Sequence, residues 1–263
     1  MSRILTVDIG NTSIAACVFD GDTVINKDRI ATRRNYPKEE LRAFLCRISL
    51  QDGGCPKGSI LSSVVPEIND AVLAAMEAIT GKRPVLVDRD MDFGIDVSAY
   101  AGGSIGTDRL VDMTAARSIY TNRPVIVCDL GSCTTITVCD DNGVLLGGMI
   151  SPGIQMSLNA EAQHTSQLPD LLAGSVTELL GRDTQSNMMS GAVAGAGLMI
   201  SAAADRIERE YDLDNAALVI TGGHGELILP WIERECVYRP GLLMEGLRAI
   251  YEMKTDMVSY LGA

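Results

Sequence analysis

Aromatic residues are scarce in this chain: one Trp, three Phe and seven Tyr make up 4% of its 263 residues. Packing therefore falls to Ala, Gly, Val, Ile and Leu, a mix that suits close-packed α/β layers. Basic residues are also few. Lys and Arg number 22 against 34 Asp and Glu, a formal net charge of -12. Such a chain repels nucleic acid and anionic membrane in bulk. A phosphate ligand must then be held locally, by backbone N–H groups, a metal ion or a few Arg. No C-x-x-C occurs among the seven Cys. The spacing of Cys128, Cys133 and Cys139 fits no common zinc pattern. Cys128 and Cys139 lie in apolar runs, which predicts buried free thiols and a reducing compartment. The N-terminal "MSRILTVDIG" lacks a signal-peptide layout, and no apolar stretch is clean and long enough to span a membrane, so a cytoplasmic protein is expected. Neither a G-x-x-x-x-G-K-[ST] loop nor a G-x-G-x-x-G after the first strand is present, which removes two common nucleotide-binding folds.

What is present is sufficient apolar content for a real core, 46%, and a length that fits one large domain or two small ones. Strand and helix signals alternate. "RILTVDI" predicts a strand ended by Gly10, and "SIAACVFDGDTVINKDRIAT" two more strands joined at Asp20-Gly21-Asp22. "PKEELRAFLCRISL" has helical spacing, "SILSSVV" reads as a strand, and "PEINDAVLAAMEAIT" as a helix closed by Gly81. "RPVLVD" predicts a strand and "DRLVDMTAARSIY" a helix. The pattern then restarts with three strands in "PVIVCDLGSCTTITVCDDNGVLLGGMI". Helices are expected at 155–163 and 187–210, a strand at "AALVIT", a short helix at "LILPWIERE" and a last helix at "GLLMEGLRAIYEM".

The restart is an internal repeat. Laid over each other, "VDIGNTSIAACVFDG" and "CDLGSCTTITVCDDN" place Asp8 on Asp129, Gly10 on Gly131 and Asn11 on Ser132. Each segment runs strand, carboxylate, glycine turn, return strand. Glycine lets backbone N–H groups approach a phosphate without a Cβ in the way. Asn11, Thr12, Ser13, Ser132, Thr134 and Thr135 add amide and hydroxyl donors, and each carboxylate can hold a cation directly or through water. The bland reading of D-x-G is turn chemistry alone; the duplication argues against it. "TGG" at Thr221–Gly223 follows a strand as strand-to-helix loops often do, and His224 and His164 read as loop histidines. By this pattern the chain resembles the actin, sugar kinase and heat-shock ATPase superfamily. That implies an α/β fold of two ribonuclease-H-like domains, a duplicated actin-like ATPase fold with an ATP cleft between them, divided as 1–112 and 113–263.

The chain also resembles one family, type III pantothenate kinase. The residues that carry the likeness are "DIGNT" at Asp8–Thr12, "SSVVP" at Ser62–Pro66, "GTDRL" at Gly106–Leu110, "DLGSCTT" at Asp129–Thr135 and "GGMISPGIQMS" at Gly147–Ser157. "TSQLP" at Thr165–Pro169, "GRDTQSNMMSG" at Gly181–Gly191, "TGG" and "LLMEGL" come next, in the family's order. The resemblance implies ATP-dependent phosphorylation of pantothenate, the first step of coenzyme A synthesis, by a homodimer using Mg2+ and a monovalent cation, K+ or NH4+. By position it implies that Asp8, Ile9, Gly10, Asn11, Thr12, Ser13, Ile14 and Ala15 form the first ATP loop and that Ser132 contacts ATP. It implies substrate contacts at Gly106, Thr107, Asp108, Arg109, Thr184 and Tyr100, with Asp108 as proton acceptor, and Asp129 as cation ligand.

The chemistry of Asp108 and Arg109 agrees with those roles. A carboxylate at a helix N-terminus has its negative charge stabilised there, and a weak base suffices for a loose phosphoryl-transfer transition state. Arg109 offers a planar donor fork for the pantothenate carboxylate. Taken alone, the pair reads more readily as a helix cap with a surface ion pair; the full set of motifs turns the reading the other way. The chain departs from the family in three places, the mildest being "TSQLP" where the family has T-A-x-L-P. The second hairpin reads D-L-G-S-C-T-T in place of D-F-G-T-A-T-T. The loop "AYAGGSIG" keeps Tyr100, but it lacks the usual Pro and is one residue short, the change falling at Gly102 and Gly103. A family member that has lost catalysis and senses nucleotide or pantothenate is the second reading, and a sister ATPase the third.

Overall fold

The computed structural model describes residues 3–50, 54–100 and 105–261. The chain divides into two compact units. The first comprises Met1–Phe93, Gly106–Ala115 and Leu243–Ala263, the second Gly94–Ile105 and Ala116–Leu242.

In the first unit the central strand is β1 (Ile4–Ile9). It pairs antiparallel with β2 (Ser13–Asp20), which pairs with β3 (Thr23–Ala31); on its other side lies β4 (Gly58–Ser63), parallel, and then β5 (Val85–Leu86). The sheet order is β3-β2-β1-β4-β5. Side chains alternate across a strand. Leu5, Val7 and Ile9 face the core together with Ile14, Ala16 and Val18, against Leu41, Leu45 and Ile48 of α1 (Lys38–Ser49) and Val72 and Met76 of α2 (Asn69–Thr80). Gly81 closes α2 in the left-handed conformation, as the sequence predicts. The opposite face of the sheet carries Thr6 and Asp8. There α7 (Leu242–Leu261) packs: the Thr6 hydroxyl meets Met244 Sδ at 3.3 Å, and the Arg248 guanidinium lies 5.6 Å from the Phe19 ring centroid. A Cβ on Gly246 would collide with the Val111 carbonyl of α3 (Thr107–Ile119), so α7 and α3 touch backbone to backbone at that point.

The second unit repeats the plan. Its central strand β6 (Val125–Leu130) pairs antiparallel with β7 (Cys133–Cys139) and parallel with β9 (Ala217–Thr221). β8 (Leu145–Pro152) and β10 (Val237–Tyr238) flank these, in the order β10-β9-β6-β7-β8. Read from the other edge, this is the order of the first sheet. The phase repeats too. Ile126, Cys128 and Leu130 face the core with Ile154 and Leu158 of α4 (Ile154–His164) and Met188, Val193 and Ile200 of α5 (Thr184–Glu210), while Asp129 lies on the other face, as Asp8 does. α5 is long and apolar enough to cross a membrane by length and composition. Its buried stripe, which includes Met188, Val193, Ile200 and Ala204, packs into this core instead.

The fold corrects several local expectations. The strand at "RPVLVD" is only two residues long. The helix expected at "LILPWIERE" is cut short: α6 (Gly225–Ile228) takes in only its first two residues, and a 3-10 turn, Leu229–Trp231, comes next at Pro230. α5 begins at Thr184, not 187, because Asp183 and Ser186 form a reciprocal capping box. The hairpins are also not equal. Ile9 opposes Ile14, whereas Leu130 opposes Thr134, so the second loop is one residue shorter and the simple overlay slips by one after the turn. Buried free thiols are found where expected: burial pushes Cys139 up to about 11, and Cys128, fully buried, is raised further.

Two arginines tie the second unit together. Arg117 donates to five carbonyl oxygens, those of Tyr120, Thr121, Arg123, Asp140 and Asp141, joining the end of α3 to the β7–β8 turn. Arg234 binds Glu208 at 2.8 and 2.9 Å and Asp205 at 2.8 Å, and Glu208 also accepts the Ala216 N–H. Arg117→Ala removes every one of these donors from those carbonyls and is expected to destabilise the protein by at least about 2 kcal/mol in urea unfolding, with Arg117→Lys recovering only part, since a point charge does not reproduce the fork. The Arg234 hydrogen bonds, then the Ala216 N–H, hold the Glu208 carboxyl below its ordinary value. A depressed folded pKa contributes stability above the ordinary carboxylate value and loses it as pH falls through the folded one. Glu208→Gln should therefore cost roughly 1–2 kcal/mol at pH 7, and the gap to wild type should close in melts below about pH 4.

Candidate active site

The first hairpin loop is shaped by contacts from outside it. Asp8, opposite Ala15 and Ser62, is the last polar residue of β1. Gly10 N–H then donates to Ser13 O at 3.0 Å, closing the turn. The loop carbonyls are taken from either side: Val64 N–H reaches Ile9 O at 3.0 Å, the Thr32 hydroxyl reaches Gly10 O at 2.7 Å, and Thr32 N–H reaches Thr12 O at 3.0 Å. Asn11 and Thr12 are left exposed at the top, with Ser13 half-buried beside them. Ile9 and Ile14 are buried in the core, so they offer only backbone to a ligand; Ala15 is half-buried. Thr32 is a residue that sequence reasoning does not find, because nothing in "RIATRR" marks it as a loop partner.

Gly106, Thr107, Asp108 and Arg109 start α3. The Gly106 carbonyl accepts the Leu110 N–H at 3.3 Å. The Asp108 side chain folds back over this turn: its Oδ1 accepts the Arg109 N–H at 2.9 Å, and a Cβ on Gly106 would collide with it. Gly106 therefore fixes where the Asp108 carboxylate can lie. Thr107 and Asp108 are half-buried, and Arg109 is buried, 7% exposed. A surface ion pair, the bland reading of the dipeptide, does not describe a buried Arg109. Tyr100 is half-buried in a turn closed by its N–H to Val97 O at 3.0 Å. Gly102 and Gly103, where the sequence leaves the family pattern, lie outside the described residues.

In the second unit the loop after β6 closes with Gly131 N–H donating to Cys133 O at 3.1 Å. Ser132 is exposed, and its carbonyl accepts Gly153 N–H at 3.1 Å. A Cβ on Gly153 would stand 2.5 Å from the carbonyl oxygens of Gly131 and Ser132, which explains the glycine in "SPG". The T-G-G turn meets the same loop. Gly222 has φ +88° and a Cβ there would collide with Asp129 Oδ1, so the carboxylate rests in the space that a side chain would fill. His224 N–H donates to Leu130 O at 3.1 Å. Its ring is half-buried, with no hydrogen-bond partner for Nδ1 among the described residues, and burial lowers its pKa, which keeps it neutral near pH 7. Sequence reading finds T-G-G but not that its first glycine seats Asp129.

Thr184 is exposed at the first turn of α5. Beside it a cavity of about 400 Å³ is lined by Val176, Leu180, Arg182, Gln185 and Met189, among others. The Asp183 cap carboxyl is held below its ordinary value by hydrogen bonds from Ser186.

Among the described residues no group of three or more His, Cys, Asp or Glu side chains forms a metal cluster. The donors at each loop, taken by itself, are instead carboxylate, hydroxyl and carbonyl oxygens. Oxygen donors of this kind suit hard cations such as Mg2+ and K+. The notch at Gly222 keeps the Asp129 carboxylate in one place, as a cation ligand requires.

Solved structures of like fold include a conserved protein of the Baf family from Campylobacter jejuni, at TM-score 0.59 and 19% identity over 96% of this chain and 99% of that one. They also include the ethanolamine utilization protein EutJ from Carboxydothermus hydrogenoformans, at TM-score 0.53 and 14% identity over 95% and 89%. These identities speak to the fold alone, the α/β plan of two five-stranded sheets. Curated relatives speak to more. A type III pantothenate kinase from Agathobacter rectalis is 32% identical, covering 94% of this chain and 96% of its own. Another, from Exiguobacterium sp., is 31% identical, covering 95% and 98%. The family model for type III pantothenate kinase matches residues 4–206. With the duplicated strand-carboxylate-glycine loops and the G-x-D-R helix start in place, the chain belongs to the type III pantothenate kinase family.

Proposed function

We propose that this chain phosphorylates pantothenate with ATP by placing the substrate hydroxyl against Asp108. The observation that carries the reading is the seat of that carboxylate: half-buried at the start of α3, held by the Arg109 N–H and by the bare backbone of Gly106. Phosphorylation of pantothenate, which opens coenzyme A synthesis, is the activity of the family. The curated relatives are kinases, and no observation favours the regulator reading.

Phosphoryl transfer asks for in-line placement and charge neutralisation more than for covalent help. Asp108 orients the primary hydroxyl and takes its proton late, as the hydroxyl oxygen bonds to the γ-phosphorus and the bond from that phosphorus to ADP breaks. Arg109 holds the pantothenate carboxylate; its burial removes competing water and strengthens the contact. Thr107, Thr184 and Tyr100 complete the substrate contacts. Residues Asp8 to Ala15 and Ser132 hold the nucleotide through exposed hydroxyl and amide groups and the backbone of the two turns. Magnesium bound with the nucleotide supplies neutralisation of phosphate charge. Asp129 is assigned to a monovalent cation, K+ or NH4+. The net charge of -12 supports a metabolic, cytoplasmic role without nucleic acid or membrane partners. Leu172 and Leu180, 85% and 80% exposed, support a homodimer that covers them.

Two outcomes are expected. Asp108→Asn should lower pantothenate-dependent ADP release by roughly 10²–10⁴-fold while leaving ADP affinity by calorimetry unchanged. Turnover within a few-fold of wild type removes Asp108 from the chemistry. Gly222→Ala should displace the Asp129 carboxylate and strain the turn. Turnover in potassium should then fall toward that in sodium, with the folded state checked by thermal melting, and an unchanged potassium-to-sodium ratio contradicts the assignment of Asp129.

A further inference from the structure

Cations are rare in this chain, yet one stretch is rich in them. Between Lys27 and Arg47 there are seven Lys and Arg against three Asp and Glu, in a protein of net charge -12. This stretch includes the end of β3 and the segment that anchors the first hairpin loop through Thr32. Arg34 lies two residues beyond Thr32, so its Cα is within about 7 Å of the Thr32 Cα. On the other flank of the loop, Val64 is tied to Ile9 O, and Glu67 stands three residues later. Arg34 and Glu67 meet at 3.4 Å, both side chains well exposed, at 75% and 48%. The ion pair thus spans the two segments that grip residues 9–12. Arg33 behaves differently: it lies over the Tyr36 ring at 5.1 Å and pairs with Glu40 of α1.

We propose that Arg34 is a phosphate ligand for the nucleotide held by the β1–β2 loop, released from Glu67 when the polyphosphate arrives. The inference rests on reading that loop as a nucleotide loop. Three features favour it. An exposed ion pair is worth little, so exchanging Glu67 for phosphate costs little. The guanidinium fork matches two phosphate oxygens. Thr32 and Val64 hold both flanks of the loop at fixed distance, so the side chain starts from a defined place. The ligand class is a nucleoside polyphosphate, recognised at its charged end and not at its base.

The test compares Arg34→Ala, Arg34→Lys and Arg33→Ala in the full-length chain. Calorimetry is run with ADP and, separately, with inorganic tripolyphosphate, each with magnesium, and the KM for ATP is measured at saturating pantothenate. Arg34→Ala should weaken binding of both probes and raise that KM by roughly tenfold, with kcat changed far less. Arg34→Lys should recover part of the loss, and Arg33→Ala should stay within about twofold of wild type. Equal losses in Arg33→Ala and Arg34→Ala would reduce the effect to bulk charge and overturn the proposal, as would unchanged affinity in Arg34→Ala. Failure of the kinase reading has a separate signature: wild-type protein that binds ADP but shows no pantothenate-dependent turnover.

Discussion

The chemistry of this protein depends on a constraint at the ends of two buried strands. β1 and β6 are the central strands of their sheets and apolar almost throughout. A carboxylate in such a strand is tolerated only at the last residues, where pairing stops and water or a ligand can solvate it. Asp8 and Asp129 occupy that place. Beyond each of them the chain turns at once, at Gly10 and Gly131, and at Gly222, after the neighbouring strand β9, a missing side chain leaves room for the Asp129 carboxylate. Gly106 plays the same part for Asp108 on a helix. At Gly222 and Gly106 the fold positions a negative charge by omitting a side chain.

Those omissions need a rigid surround, and the flanking hydrogen bonds provide it. Thr32 and Val64 hold the first loop; Gly153 and His224 hold the second through backbone N–H groups. Loops carry the function while packed sheets fix their geometry. The Arg117 and Arg234 networks bind carbonyls and carboxylates elsewhere in the second unit and join its elements there.

Much of this is legible in the sequence because it is periodic or local. The strand runs, the Gly81 cap and the repeated D-x-G all rest on short-range patterns, and the repeat predicts two similar α/β units. The failures have a common cause. Thr32, Gly222 and Gly153 act on loops distant in sequence, and no local pattern records such a contact. The loss of one residue from the second hairpin is hidden for the same reason: register is set by cross-strand pairing, which a linear overlay does not see. The helix expected after Leu227 fails where α6 gives way to a 3-10 turn at Pro230. The capping box at Asp183 differs from these, since D-x-x-S is a local signal and marks the true start of α5.

If these loops and the seat of Asp108 together make a pantothenate kinase, the product itself is the sharpest readout. Phosphorus NMR of wild-type protein with ATP, magnesium, potassium and pantothenate should show a new phosphomonoester signal growing in step with ADP, and none when pantothenate is omitted. ADP and free phosphate formed at the same rate with or without pantothenate would contradict that assignment.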